Sequence, residues 1–138
     1  MNTSQPFCRR VLAEIKWTSP QAERLLKEEL RRFPQQKEVW LLLVRWYGER
    51  KRFEDQLTAL ERVQTDQPGN HLLFHSEGQA WFNLAQYAKA ERALERCTIL
   101  APQYVPCMVL QANVYDKQGK KALAHQMMER AKRVHRGD

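Results

Sequence analysis

Cysteine is scarce in this chain, and its three copies, Cys8, Cys97 and Cys107, show no C-x-x-C or other paired metal spacing. That excludes the common zinc-finger and zinc-ribbon frameworks. The N-terminal segment MNTSQPFCRRVLAEIKW has no apolar signal-peptide core, and the cysteine count is odd. Both favour a cytoplasmic chain with reduced thiols. No run of about 18 or more apolar residues occurs, so no segment reads as a membrane span. A Gly-rich phosphate loop, a G-x-S-x-G elbow and an H-E-x-x-H pair are also missing. His71 and His75 stand four apart on one helical face, but a closed metal site needs further ligands, and the nearest acid, Glu77, falls elsewhere around the helix. The expectation is a chain without catalysis, cofactor or metal, its histidines lying at the surface or in a groove.

What is present is a 43% hydrophobic fraction, enough for a continuous core in one domain spanning 1–138. The formal net charge is +7. A basic balance favours acidic partners, whether nucleic acid, anionic membrane or an acidic protein surface; the plainer alternative is a solvated, Arg-rich helical exterior.

Three prolines, Pro34, Pro68 and Pro102, stand 34 residues apart. Other positions keep the same period. Phe74 corresponds to Trp40 and Met108, Trp81 to Tyr47 and Tyr115, and Gly78 to Val44 and Ala112. Ala90 corresponds to Ala22, Gln56 and Ala124; Leu94 to Leu26, Leu60 and Met128; and Cys97 to Val63 and Ala131, which makes Cys97 a small buried hydrophobe. Spacings of three, four and seven place these residues on helical faces, and each proline stops a unit. Trp40-Leu43-Tyr47 followed by Ala90-Leu94-Pro102 in the next unit resembles the tetratricopeptide repeat, W-x-x-L-G-x-x-Y then A-x-x-x-F then P. Units fall at about 3–36, 37–70, 71–104 and 105–138, the first degenerate because it lacks the aromatic positions. Val44 and Gln56 put bulk into small positions of one unit, which predicts a splayed or rotated second helix pair.

The periodicity predicts helices over about 7–16, 20–32, 38–49, 53–65, 71–84, 87–100, 105–117 and 120–134. Ser19 and Asn70 stand as N-caps, with Pro20 at the first helical position. The resemblance implies an all-α, right-handed superhelical solenoid of antiparallel helix pairs, whose first helices line a concave groove. By that implication Arg45, His75, Gln79, Phe82, Asn83, Asn113 and Asp116 face a partner, with Phe7, Val11, Leu41, Leu72 and Val109 either beside them or in the core. Apolar and neutral polar groups together suit an extended peptide or an amphipathic helix. The family's clamp for chaperone C-terminal carboxylates is not matched: its positions hold Leu41, Arg45, Ser76, Pro106 and Leu110. Arg50, Lys51 and Arg52 sit at the turn inside one unit, Lys117, Lys120 and Lys121 at the matching turn two units on, and Lys16 at that of the first. Stacked units would bring these into a basic rim, extended by Arg130, Lys132, Arg133 and Arg136. Two functions follow: a scaffold, adaptor or chaperone that binds protein through the groove, or a nucleic-acid-associated protein that binds through the rim. Leu123, Met127 and Met128 on the last helix suggest contact between copies through that end.

Overall fold

The computed structural model describes residues 17–137, and every regular element among them is a helix. They are α1 (Pro20–Arg32), α2 (Lys37–Glu49), α3 (Phe53–Asp66), α4 (His71–Asn83), α5 (Tyr87–Leu100), α6 (Val105–Lys117) and α7 (Lys121–Arg136). The starts of α2, α4 and α6 are 34 residues apart, as are those of α3, α5 and α7, so the period read from the prolines is also the structural period. Boundaries agree with the periodicity to within two residues. The helix predicted over 7–16, together with Phe7, Val11 and Lys16, lies outside the described residues.

The chain divides at Asp66/Gln67 into two compact units. In the first, α1 buries Ala22, Leu26 and Leu30 at intervals of four, one stripe of an amphipathic helix, against α2. From α2 come Val39, Leu43, Val44, Trp46 and Tyr47, and from α3 Ala59, Leu60 and Val63. A polar network ties the three helices beneath this core. Glu23 of α1 accepts from Arg52 at 2.9 Å, pairs with Lys27 at 3.2 Å and is hydrogen-bonded by Tyr47 of α2. Burial by itself would raise the Glu23 carboxyl. Arg52, Tyr47 and Lys27 together outweigh it and bring the group down to about 2.

In the second unit α5 packs between α4 and α6, and α7 closes on α6. Phe74, Ala90, Leu94, Leu110 and Val114 form the core together with Cys97 and Cys107. Gly78 is needed where it stands: a Cβ there would lie 2.7 Å from Leu94 Cδ2, so the helices could not approach as closely. Here the expectation of reduced thiols is corrected. Cys97 on α5 and Cys107 on α6 are joined by a disulfide. The period placed Cys97 in a buried position correctly; the counterparts of Cys107, Leu73 and Val39, are buried too, but neither is a cysteine that would mark the pair.

Each helix pair turns in the same way. Arg52, Gln86 and Lys120 donate their amides at 2.9 Å to the carbonyls of Tyr47, Trp81 and Tyr115 five residues back. The residue before each donor, Lys51, Ala85 or Gly119, has a left-handed φ of 60°, 59° or 76°. This is the Schellman ending of a helix, and its C″ residue immediately precedes the next helix. Only one of the three is glycine, although a side chain in that conformation costs about 1–2 kcal/mol. Ala85→Gly is therefore expected to raise stability by about 0.5–1 kcal/mol and Gly119→Ala to lower it by a similar amount. Denaturant titration of both variants checks this; shifts of the same sign would contradict the left-handed turn.

The bulk of Gln56 is accommodated locally. Its side-chain amide passes over Gly48, which has no Cβ to block it, and donates to the Val44 carbonyl at 3.1 Å. Asn70 caps α4 as expected, accepting from the Leu72 amide at 3.1 Å. Ser19 holds the N-cap position of α1, but its hydroxyl makes no capping bond and is buried without a partner among the described residues.

Candidate functional site

In the second unit, the residues expected to face a partner lie on α4 and α6. Along α4, Leu72, His75, Gln79 and Asn83 follow one another at intervals of three or four, and so share a face. Leu72 is 49% exposed and offers apolar surface at the start of this row. Gln79 donates to Asn83 Oδ1 at 3.2 Å, so the two amides align each other and their remaining donors and acceptors point away from the core. On α6, which packs beside α4, Asn113 and Asp116 are exposed and Val109 is half-buried. Asp116 accepts from Lys121 at 2.6 Å.

Phe82, His71 and His75 each pack edge-on against a neighbouring ring. Phe82 was expected to face a partner. It is half-buried against the core and meets the Tyr87 ring edge-on at 5.7 Å between centroids. It supports the surface from below. His71 and His75 both pack edge-on against Tyr104, at 4.7 and 6.0 Å, and burial lowers the His75 pKa. Among the described residues no three His, Cys, Asp or Glu side chains gather as a metal site would require.

Arg45 belongs to the first unit. It is exposed, pairs with Glu49 at 3.0 Å and lies 5.3 Å over the Trp17 ring. Leu41, on the same helix, is 37% exposed.

The rim cations are largely engaged within their own units. Arg52 is held by Glu23 and Asp55, both at 2.9 Å. Arg50 lies 5.0 Å over Trp46 and donates to the Trp17 carbonyl at 3.3 Å. Lys120 sits 3.7 Å from Glu91, and Lys121 is the partner of Asp116. Lys51 and Lys117 are exposed. Of the C-terminal cations, Lys132 pairs with Glu129 at 3.3 Å. On α7 Leu123 is 44% exposed, Met127 and Met128 are half-buried, and Met128 lines a shallow cleft of about 400 Å³ with Ala112, Ala124 and Lys132.

Solved structures share this architecture. A MamA RS-1 ArsTM double mutant matches with a TM-score of 0.86 at 14% identity, over 99% of this chain and 77% of that one. A MamA 41-end structure from Desulfovibrio magneticus RS-1 matches at 0.80 with 15% identity, over 86% and 67% of the two chains. A MamA AMB-1 structure matches at 0.77 with 20% identity, over 85% and 64%.

The fold is a tetratricopeptide-type helical repeat.

The chain spans less than two thirds of the AMB-1 protein, and at these identities the likeness speaks for the fold alone. No family model and no curated protein matches the chain. Within the repeat, the α4 and α6 residues above are on the first helix of their pairs, as the sequence pattern placed them. Sequence reasoning missed Tyr104, which precedes α6 and stands against both histidines. It also missed the acids that neutralise the rim. The i, i+5 spacing of Asp116 and Lys121 across a turn was a visible signal; Glu23 and Glu91 reach Arg52 and Lys120 only through the packing.

Proposed function

We propose that this chain is a non-catalytic protein-interaction module that takes an extended peptide or a helix of a partner along α4 and α6. The observation that carries this is the row Leu72, His75, Gln79 and Asn83, continued by Asn113: an exposed leucine followed by amides that the core does not use. Apolar contact would supply affinity and paired amides would fix the register of a main chain, the division of labour found in peptide grooves. The nucleic-acid alternative needs uncommitted cations with aromatic faces for bases to stack on. Arg52, Lys120 and Lys121 are already paired with carboxylates, and the aromatic faces of Trp46 and Tyr47 already hold Arg50 and Arg52.

Random dodecapeptides displayed on phage can be selected against the folded protein and the best binder followed by NMR. The side-chain amides of Gln79, Asn83 and Asn113 are expected to shift. Asn83→Ala and Asn113→Ala should each weaken binding by about 1 kcal/mol, and Phe82→Ala should act by loosening the floor. Reversing Lys51 and Lys117 to Glu should change little. Selected peptides that bind the two asparagine variants as well as the parent would remove the site. Tight binding of oligo(U), falling steeply with salt, would favour the rim instead.

A further inference from the structure

We propose that the cleft between α1, α2 and α3 is a second binding site, for a small monocarboxylate with an apolar or aromatic body. The cleft measures about 540 Å³, within the range of small-molecule sites. Trp40, Leu43 and Tyr47 form its floor, Leu30 and Ala59 its sides, and Lys27, Arg31, Asp55 and Thr58 its mouth.

Comparison one repeat later explains why it is open. There α5 lays long cations over the aromatic row: the Lys89 ammonium lies 4.6 Å over Trp81 and the Arg96 guanidinium 5.7 Å over Phe74. With Arg92 they leave only about 160 Å³. The matching positions on α3 are Asp55, Thr58 and Arg62. None is a cation free to lie on Trp40: Asp55 pairs with Arg52 at 2.9 Å, the Thr58 hydroxyl donates to the Glu54 carbonyl at 3.2 Å, and Arg62 pairs with Asp66 at 3.2 Å. Arg52 and Lys27 lie 4.9 and 5.9 Å over the Tyr47 ring, but among the described residues no side chain of α3 is laid over Trp40 as Arg96 is over Phe74.

Charge at the mouth selects the ligand. Lys27 is committed to Glu23 at 3.2 Å and lies over the Tyr47 ring. Asp55 is committed to Arg52. Arg31, exposed on α1, has no carboxylate partner among the described residues. One guanidinium beside an apolar floor suits a ligand whose single carboxylate forms a two-point pair with it while its body lies on Trp40. A second anionic group would meet Asp55 on the opposite wall, so the site favours a charge at one end only.

The test uses 1-naphthylacetate and its neutral counterpart 1-naphthylacetamide, with the Trp40 indole N–H resonance as readout, identified from Trp40→Phe. The acid is expected to shift that resonance and to bind more tightly than the amide. Arg31→Gln, at an exposed position, should weaken the acid about tenfold and leave the amide unchanged. Thr58→Phe, which fills the mouth, should weaken both. No Trp40 shift at millimolar acid, or an Arg31→Gln protein that holds the acid as well as the parent, would overturn the site.

Discussion

Reduction of the Cys97–Cys107 bond is expected to lower the stability of the second unit by about 3 kcal/mol. The bond closes a loop between residues ten apart, and a cross-link over so short a segment limits the unfolded chain by roughly this amount. It also joins the second helix of one pair to the first helix of the next, across Pro102. Both sulfurs are fully buried, so a reductant reaches them only when the unit opens. Reduction should therefore be slow in buffer and fast in mild denaturant. The double variant Cys97→Ala, Cys107→Ala should reproduce the destabilisation, and added reductant should shift it no further. Alanine is already present at the position matching Cys97 in the next repeat, Ala131, so packing there tolerates it. Thiol titration in denaturant without reductant is the direct check. With two of the three cysteines paired, a single free thiol, Cys8, should react. Three reactive thiols would refute the bond. Because disulfides persist poorly in a reducing cytoplasm, the same titration on protein from its native source bears on where the chain works.

The missing bond in the sequence account has a physical reason. Repeat periodicity reports what each unit shares with the next, and Cys107 has no cysteine 34 residues away. The residues one and two periods before it are Leu73 and Val39, which share its buried face but nothing of its chemistry. What periodicity does capture it captures well. The prolines, the aromatic positions and the small residues at 78, 90, 112 and 124 together located every described helix. Gly78 shows why such a position stays small, since Leu94 already occupies the space its side chain would need. The left-handed turns were less legible. Gly119 announces one, but Lys51 and Ala85 adopt the same conformation with no residue-type signal, because the Schellman bond and the packed pair hold them there.

Surface residues were legible as to face but not as to engagement. Spacing put Gln79 and Asn83 on one side of α4, and they are there, bonded to each other. Spacing could not tell that Phe82 leans back onto Tyr87, because neighbouring positions on a helix differ by only about a quarter turn, and an aromatic ring spans both sides of a boundary. Nor could it tell free cations from paired ones. Arg50, Lys51 and Arg52 read as one basic run, yet Arg50 is on a ring, Arg52 is between two carboxylates and Lys51 forms the turn.

Glu23→Gln is expected to destabilise the first unit by about 2 kcal/mol at neutral pH, and the effect should vanish in acid. The carboxyl joins α1 to Tyr47 of α2 and to Arg52 at the start of α3, and a carboxylate held this way contributes more than an exposed ion pair. Its pKa is depressed in the folded chain, from an ordinary 4.5 to about 2. The folded state thus binds the proton less readily than the unfolded state. The stabilisation is fully present above about pH 4.5 and is lost as the pH falls toward 2. Parent and variant should therefore differ in denaturant midpoint at pH 7, draw together as the pH falls from about 4.5 through 2, and coincide only below that. Following Trp46 of the first unit separately from Trp81 of the second localises the loss. Glu28→Gln, an exposed acid on the same helix, is the control and should move neither midpoint. A Glu23→Gln effect of the same size at pH 7 and pH 2 would assign its cost to lost packing, and the charged network would then carry none of the stability.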